Sequence, residues 1–213
     1  MNVLIVVPTR LESSRFPNKP LYKIAGREMI LRVLDRLPDY EKIVATPNLP
    51  IAEVVTKNGY NVFITRREAS CGTDRLVELS ESIYADIYVN AQGDEPLISQ
   101  STVDKIVQAK IDNPDRVVCG MCNLDTSTDC VKVIIENGRP SLSRKIYKQV
   151  GIYAFNRADL REFERSGEAR ESIEITRLSS DRLLFVEVDD TQAVDRLEDI
   201  AKVERILWQV NQK

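Results

Sequence analysis

Short apolar runs alternate with amphipathic segments through the first half of the chain. Residues 3–7 are apolar at every position, a pattern typical of a central strand covered on both faces of a sheet. Similar runs at 42–46, 61–65 and 86–91 predict further strands, and apolar residues at helical spacing between them predict helices at 27–38, 51–58 and 73–83. This alternation predicts a doubly wound α/β fold with a mostly parallel, mixed sheet of the Rossmann-like kind.

Residues 131–155 depart from this alternation because they are rich in strand formers and contain an Asn137-Gly138 turn signal. They predict an antiparallel addition to the sheet, which could cover a substrate, form a subunit contact or be a plain edge ribbon. A strand at 183–188 and an amphipathic helix at 197–210 complete the pattern. No repeat or linker interrupts the chain, so residues 1–213 are expected to form a single domain.

The charge balance excludes several classes of function. The chain has 30 Lys and Arg against 33 Asp and Glu, so no global field favours nucleic acid or an anionic membrane as a partner. No apolar stretch has the length of a membrane span, and the start of the chain lacks a basic leader pattern, so a cytoplasmic location is expected.

The chain contains no histidine, which excludes Ser-His-Asp and Cys-His catalysis and removes the commonest zinc ligand. Carboxylates, lysine, tyrosine or cysteine must therefore supply any acid, base or metal chemistry. The four cysteines are expected to be reduced and structural.

Polar loops follow two of the predicted central strands. The loop after residues 3–7 contains Arg10, Arg15 and Lys19, and a cationic loop at this place in an α/β protein usually holds a phosphorylated ligand. The turn after 86–91 contains Asp94 and Glu95, which are the ligand type preferred by divalent cations that bridge phosphates. The two loops together predict a site for a phosphorylated ligand and a metal ion.

Arg75 lies in the first turn of the helix at 73–83, where a cation opposes the helix dipole. A solvated surface arginine is one interpretation, and a nearby phosphate or nucleotide is the other.

Seven motifs occur in a fixed order along the chain: PTR-x4-RFPNKPL, SCGTDR, VNAQGDEPLI, VKVI, GIYAF, ESIE and VDRLEDI. Together they resemble the CMP-Kdo synthetases, the 3-deoxy-manno-octulosonate cytidylyltransferases, over nearly the whole chain. The resemblance implies a nucleotidyltransferase that uses CTP and Mg²⁺. Such an enzyme transfers a cytidylyl group to the anomeric hydroxyl of a 2-keto-3-deoxy sugar acid, most commonly Kdo, and releases pyrophosphate. It also implies a homodimer.

Site residues follow from the resemblance by position. Catalysis is implied for Lys19, Arg15, Asp94 and Asp195, of which Asp94 and Asp195 would hold Mg²⁺. Nucleotide binding is implied for Pro8, Thr9, Arg10, Arg15, Lys19, Cys71, Gly72, Thr73, Arg75 and Gln92. Sugar binding is implied for Gln92, Arg144, Gln149, Tyr153, Glu171 and Glu174.

The chain departs from the family pattern in the part that contacts the sugar. Gln149 occupies a position where the family usually has histidine, and the loop between Arg144 and the GIYAF motif is shorter. One alternative therefore keeps the chemistry but uses a nonulosonic acid as acceptor. Another is a catalytically weak nucleotide-binding or regulatory protein. The intact set of loop cations and carboxylates favours an enzyme.

Overall fold

The computed structural model describes residues 1–13, 15–123, 132–136, 139–140, 146–167 and 174–210. The strands are β1 (Val3–Pro8), β2 (Lys23–Ile24), β3 (Arg27–Glu28), β4 (Glu41–Thr46), β5 (Asn61–Ile64), β6 (Ile87–Ala91), β7 (Val117–Asn123), β8 (Lys132–Glu136), β9 (Arg139–Pro140), β10 (Ile146–Phe155) and β11 (Leu183–Glu187). The helices are α1 (Met29–Arg36), α2 (Leu49–Lys57), α3 (Gly72–Ser82), α4 (Gln100–Asp112), α5 (Arg157–Arg165) and α6 (Leu197–Val210). No helix within these residues combines the length and the apolar character needed to cross a bilayer.

One large sheet of nine strands carries the fold, and seven of them follow the order β11-β7-β10-β6-β1-β4-β5. Six of the seven strands run in one direction and β10 runs against them. The predicted mostly parallel, mixed sheet is therefore confirmed. Strands β2 and β3 form a separate two-stranded ribbon.

Helices cover both faces of this sheet. Val3, Ile5 and Val7 of β1 point to one face, while Leu4 and Val6 point to the other, and all five are buried. Helices α1, α2 and α4 pack on the first face and α3 and α5 on the second, through buried residues that include Leu34, Val55, Ile106, Leu76 and Phe163. Burial on both faces explains why β1 is apolar at every position.

The predicted antiparallel addition lies inside the sheet. β10 pairs with β6 on one side and with β7 on the other, so the edge-ribbon alternative is wrong for this strand. β8 pairs with β10 and with β9. In the pair of β8 and β9, Glu136 lies opposite Arg139, as the hairpin signal predicts. The turn itself, residues 137–138, lies outside the described residues.

The strand order creates a crevice beside β1. From β1 the chain passes through α1 to β4 on one side, and it later returns through α3 to β6 on the other side. The loops that follow the adjacent parallel strands β1 and β6 therefore emerge at the same edge of the sheet, where doubly wound proteins bind ligands.

A third apolar cluster joins the loop after β1 to the C-terminal part of the chain. Phe16 and Met29 pack with Val194, Ile200 and Val203 in this cluster. The cluster brings residues that are far apart in the sequence to the same side of the crevice.

Candidate active site

A cleft of about 1250 Å³ lies at the carboxyl ends of β1 and β6. It is lined by fourteen of the residues that the sequence implicates, namely Pro8, Thr9, Arg10, Arg15, Lys19, Cys71, Gly72, Arg75, Gln92, Asp94, Gln149, Tyr153, Glu174 and Asp195. Arg144 and Glu171, the two remaining sugar-binding candidates, lie outside the described residues.

The loop after β1 turns back on itself before Lys19. Asn18 adopts a left-handed backbone with φ 57°, which asparagine tolerates better than most residues. The Asn18 N–H donates to the carbonyl of Leu11 at 3.1 Å, and the buried Phe16 ring packs edge-on against Tyr22. These contacts hold the loop so that Lys19 points into the cleft.

Lys19 links the turn that contains Asp94 to the segment that contains Asp195. Its Nζ donates to Asp94 Oδ2 at 2.8 Å and to the carbonyl of Val194 at 2.7 Å. The Val194 N–H in turn donates to the Asp94 carbonyl at 2.9 Å. Arg15 pairs with Asp195 at 2.9 Å. The structure thus assembles Asp94 and Asp195 on one side of the cleft, each beside a loop cation.

Arg75 and Arg10 form a second cationic region. Arg75 is buried, and burial together with the Arg10 charge lowers the pKa of its guanidinium. One Arg75 N–H donates to the Cys71 carbonyl at 3.1 Å, but Nε has no partner. Within the described part of the chain, no carboxylate forms an ion pair with either arginine. This arrangement is typical of a site that receives an anion.

The N-terminus of α3 lies next to these arginines. The Asp74 carboxylate accepts from the N–H groups of Ser70 and Cys71 at 2.8 and 3.1 Å. The helix begins at Gly72, with Cys71 at the N-cap, one residue before the predicted start at 73. Thr73 is fully buried beneath the cleft, where its hydroxyl accepts from Asn90, so the structure does not bring its side chain to the ligand side.

The opposite wall of the cleft is polar. Gln92 Nε2 donates to Glu174 Oε1 at 3.3 Å, and the other oxygen of Glu174 accepts from the Thr73 N–H at 3.0 Å. Gln149 Nε2 donates to the hydroxyl of Tyr153 at 2.8 Å. The four sugar-binding candidates that the structure describes therefore form two hydrogen-bonded pairs.

Comparisons with known proteins agree with this geometry. A family model described as Cytidylyltransferase matches residues 4–181. The 3-deoxy-manno-octulosonate cytidylyltransferases of Escherichia coli and of Chlorobium phaeobacteroides strain BS1 are 33% and 34% identical to the chain, with 82% and 97% of each chain covered respectively. A solved structure of CMP:2-keto-3-deoxy-manno-octonic acid synthetase complexed with CTP superposes with a TM-score of 0.89 at 30% identity, covering 98% of this chain and 99% of that one.

The chain belongs to the CMP-Kdo synthetase family of cytidylyltransferases. A cytidylyltransferase from Leptospira borgpetersenii, at 19% identity and a TM-score of 0.70, shares the fold. The resemblance inferred from the seven motifs is confirmed.

Two charged residues line the cleft in roles that the motifs did not indicate. Lys148 donates from Nζ to Asp190 Oδ1 at 2.9 Å and also contacts the Thr191 carbonyl. Glu95, which the sequence suggested as a second carboxylate for metal, is buried instead. Burial and the neighbouring Asp94 charge raise the pKa of Glu95 to about 7.

The donor set suits a magnesium ion that binds together with nucleotide. Mg²⁺ is commonly held by one or two carboxylates, substrate phosphates and water. Asp94 and Asp195 provide two carboxylates that already attract the cations of Lys19 and Arg15. Among the described residues, no group of three or more Asp, Glu, Cys or His forms a complete metal cage. This donor set fits an ion whose remaining ligands come from phosphates.

Proposed function

We propose that this protein catalyses transfer of the cytidylyl group from CTP to the anomeric hydroxyl of Kdo, with release of pyrophosphate. The observation that carries the proposal is the meeting of the cationic loop after β1 with Asp94 and Asp195 in one cleft. The proposal is supported by relatives named for this reaction and by a relative whose solved structure is complexed with CTP.

The cations account for how the cleft would hold a triphosphate. Arg10 and Arg75 offer guanidinium groups without ion-pair partners among the described residues, and such groups bind phosphate oxygens through paired hydrogen bonds. Lys19 is held between Asp94 and the Val194 carbonyl, at the boundary between the nucleotide side and the carboxylates. It is placed to stabilise the charge that develops on the α-phosphate oxygens when the hydroxyl attacks in line.

Asp94 and Asp195 are the residues that would hold Mg²⁺. When bound, the ion supplies positive charge to the phosphate oxygens and orients them for displacement. Lys19 and Arg15, which pair with these carboxylates in the structure, would bind the phosphates beside them.

The polar wall is suited to a sugar acid. Gln92, Gln149, Tyr153 and Glu174 combine hydrogen-bond donors and acceptors, which match a ring with several hydroxyl groups. Tyr153 is almost completely buried, so it supplies a fixed surface rather than a mobile side chain.

Pyrophosphate release tests the assignment directly. CTP, UTP, ATP and dTTP would each be incubated with Mg²⁺ and with Kdo, a nonulosonic acid or no acceptor. We expect release with CTP and Kdo. Release only with a nonulosonic acid would transfer the assignment to that acceptor. No release with any acceptor would support the alternative of a nucleotide-binding protein without this activity.

The role of Asp94 is tested by Asp94→Asn, which keeps a hydrogen-bond acceptor for Lys19 but removes the charge that attracts a metal ion. We expect turnover to fall by about 100-fold or more, with a higher Mg²⁺ concentration needed for half-maximal rate. Asp39→Asn, at an exposed site before β4, is the matched control. Unchanged turnover and unchanged Mg²⁺ dependence in Asp94→Asn would contradict the metal proposal.

A further inference from the structure

Strand β10 contains a bulge next to the acceptor side of the cleft. It pairs with β7 at Gln149 opposite Met121 and again at Tyr153 opposite Cys119, so four steps along β10 correspond to two along β7. Residues 150–152 of β10 correspond to Gly120 alone in β7 and leave the regular pairing. Bulges of this kind redirect side chains and occur often beside active sites.

The turn after β6 satisfies the backbone of the bulge. The Gly151 N–H donates to Glu95 Oε1 at 3.2 Å, and the Gly151 carbonyl accepts from the Gln92 N–H at 2.9 Å. Glu95 is only 3% exposed. A buried carboxyl group is costly unless it forms hydrogen bonds, and a buried N–H without an acceptor is costly as well. The contact pairs the Gly151 N–H with Glu95 Oε1, while Glu95 Oε2 has no hydrogen-bond partner among the described residues.

The bulge has little freedom to move. A Cβ atom at Gly151 would lie 2.6 Å from Gln92 Oε1, and a Cβ atom at Gly120 in β7 would lie 2.7 Å from Ile152 Cγ2. At both positions a Cβ atom would have to displace a neighbouring side chain. The backbone bond from the Gln92 N–H and the side-chain bond to Glu95 Oε1 together connect the turn to the bulge.

Two residues that are candidates for binding the sugar acceptor flank the bulge. Gln149 precedes it and Tyr153 follows it, and their side chains are joined by the 2.8 Å hydrogen bond. Both line the cleft together with Gly151. A shift of the bulge would therefore change the relative position of these two side chains.

We propose that Glu95 is a positioning residue for the sugar acceptor, because its carboxyl group holds the β10 bulge and thereby orients Gln149 and Tyr153. The identity of the acceptor rests on the proposed function. Asp94 faces the loop cations, while Glu95 next to it faces β10, so one turn serves the two sides of the cleft.

Two substitutions separate the length of the side chain from its charge. Glu95→Gln keeps the length and an acceptor oxygen but removes the charge, whereas Glu95→Asp keeps the charge but is shorter by one methylene. We expect Glu95→Asp to raise the KM for Kdo by about tenfold while the KM for CTP changes by less than about twofold. Both constants should stay within about twofold of wild type in Glu95→Gln. Glu53→Asp, at an exposed position of α2, is the control for the same chemical change.

Hydrogen exchange provides a readout that needs no substrate. The Gly151 amide should exchange faster in Glu95→Asp than in wild type, and it should remain protected in Glu95→Gln. If Glu95→Asp does not fold, Glu95→Met is used in its place, since it keeps the length and removes the acceptor atom. The expected exchange and KM changes are the same.

The opposite pattern, in which Glu95→Asp behaves as wild type and Glu95→Gln does not, would overturn the proposal and show that the charge is what matters. Equal increases in the KM values for Kdo and CTP would also overturn it, as would an unchanged Gly151 exchange rate in Glu95→Asp. Absence of wild-type turnover on Kdo would contradict the proposed function instead, and the exchange comparison would still decide whether Glu95 holds the bulge.

Discussion

Arg75 shows at the scale of one residue how the molecule prepares for an anion. Its guanidinium is buried in the first turn of α3, where the helix dipole and the Arg10 charge both oppose it. Its Nε lacks a partner. Such a group is unfavourable in the free protein and becomes favourable when a phosphate binds. Of the two interpretations of Arg75, the solvated surface arginine is wrong because the side chain is buried, and the contact with a phosphate or nucleotide stays a prediction.

Arg75→Met removes the charge and keeps a long side chain. We expect the free energy of unfolding without nucleotide to change by less than about 1 kcal/mol, because loss of the hydrogen bond to the Cys71 carbonyl is offset by relief of a buried charge. CTP binding, measured by calorimetry, should weaken by about tenfold or more. Arg67→Met, which breaks a surface pair with Glu81, is the control. CTP affinity equal to wild type would show that Arg75 does not contact the nucleotide.

The pattern of residues alone, without the family resemblance, predicted the charged side chains in the loops directly after buried strands. Lys19 and Asp94 stand out for this reason, and the structure places them in contact. Glu95 was expected to face a metal, but it points into the protein because the β10 bulge offers an unpaired N–H. Lys148 was missed because strand alternation alone does not show that its side chain reaches Asp190, 42 positions away.

At the scale of elements, strand and helix periodicity predicted most of the segments, since each depends on local sequence. The place of β10 depends instead on pairing between distant segments. The strand-rich pattern at 131–155 predicted an antiparallel addition that could cover a substrate, form a subunit contact or be an edge ribbon, but it did not show which strands it pairs with. The structure inserts β10 between β6 and β7, where its bulge can meet the turn that contains Glu95.

The start of α3 is held by a contact from the segment after α5. Arg177 donates to both oxygens of Asp74 and to the hydroxyl of Ser70, and its guanidinium lies 4.5 Å from the centre of the Phe163 ring. Burial opposes the charge on Asp74, but the bonds from Arg177, Ser70 and Cys71 keep its pKa below the usual range. This contact fixes the loop that contains Cys71 against the wall that contains Glu174.

Arg177→Lys tests this link. Lysine keeps the charge but cannot reproduce the forked hydrogen bonds or the stacking on Phe163, so we expect a loss of about 1–2 kcal/mol in the free energy of unfolding. The KM for CTP should rise several-fold because the N-terminus of α3 is less well positioned. Arg165→Lys, at an exposed position of α5, is the control. A destabilised variant with an unchanged KM for CTP would limit Arg177 to a structural role.

At the scale of the whole molecule, the site is made by bringing together segments from both ends of the chain. The apolar cluster of Phe16, Met29, Val194, Ile200 and Val203 brings Arg15 within 2.9 Å of Asp195. The position of each loop after a strand predicted the two parts of the site, namely the cationic loop and the carboxylates. The family resemblance predicted that these parts act together. Neither predicted the distances between the loop cations and the carboxylates, since these depend on packing between segments about 180 residues apart.

Three broader expectations stay predictions: a single domain over residues 1–213, a homodimer and a cytoplasmic location. The oligomeric state is measured by light scattering of the purified chain, for which we expect a mass twice the 24.2 kDa of one copy.

We propose that the cleft joins the α-phosphate of CTP to the acceptor hydroxyl of the sugar. Phosphorus-31 NMR of a reaction with CTP, Kdo and Mg²⁺ follows both products at once. We expect one phosphodiester signal from CMP-Kdo for each pyrophosphate formed, and no reaction when Kdo is omitted. Formation of CDP and inorganic phosphate, or of free CMP without a sugar adduct, would contradict the account.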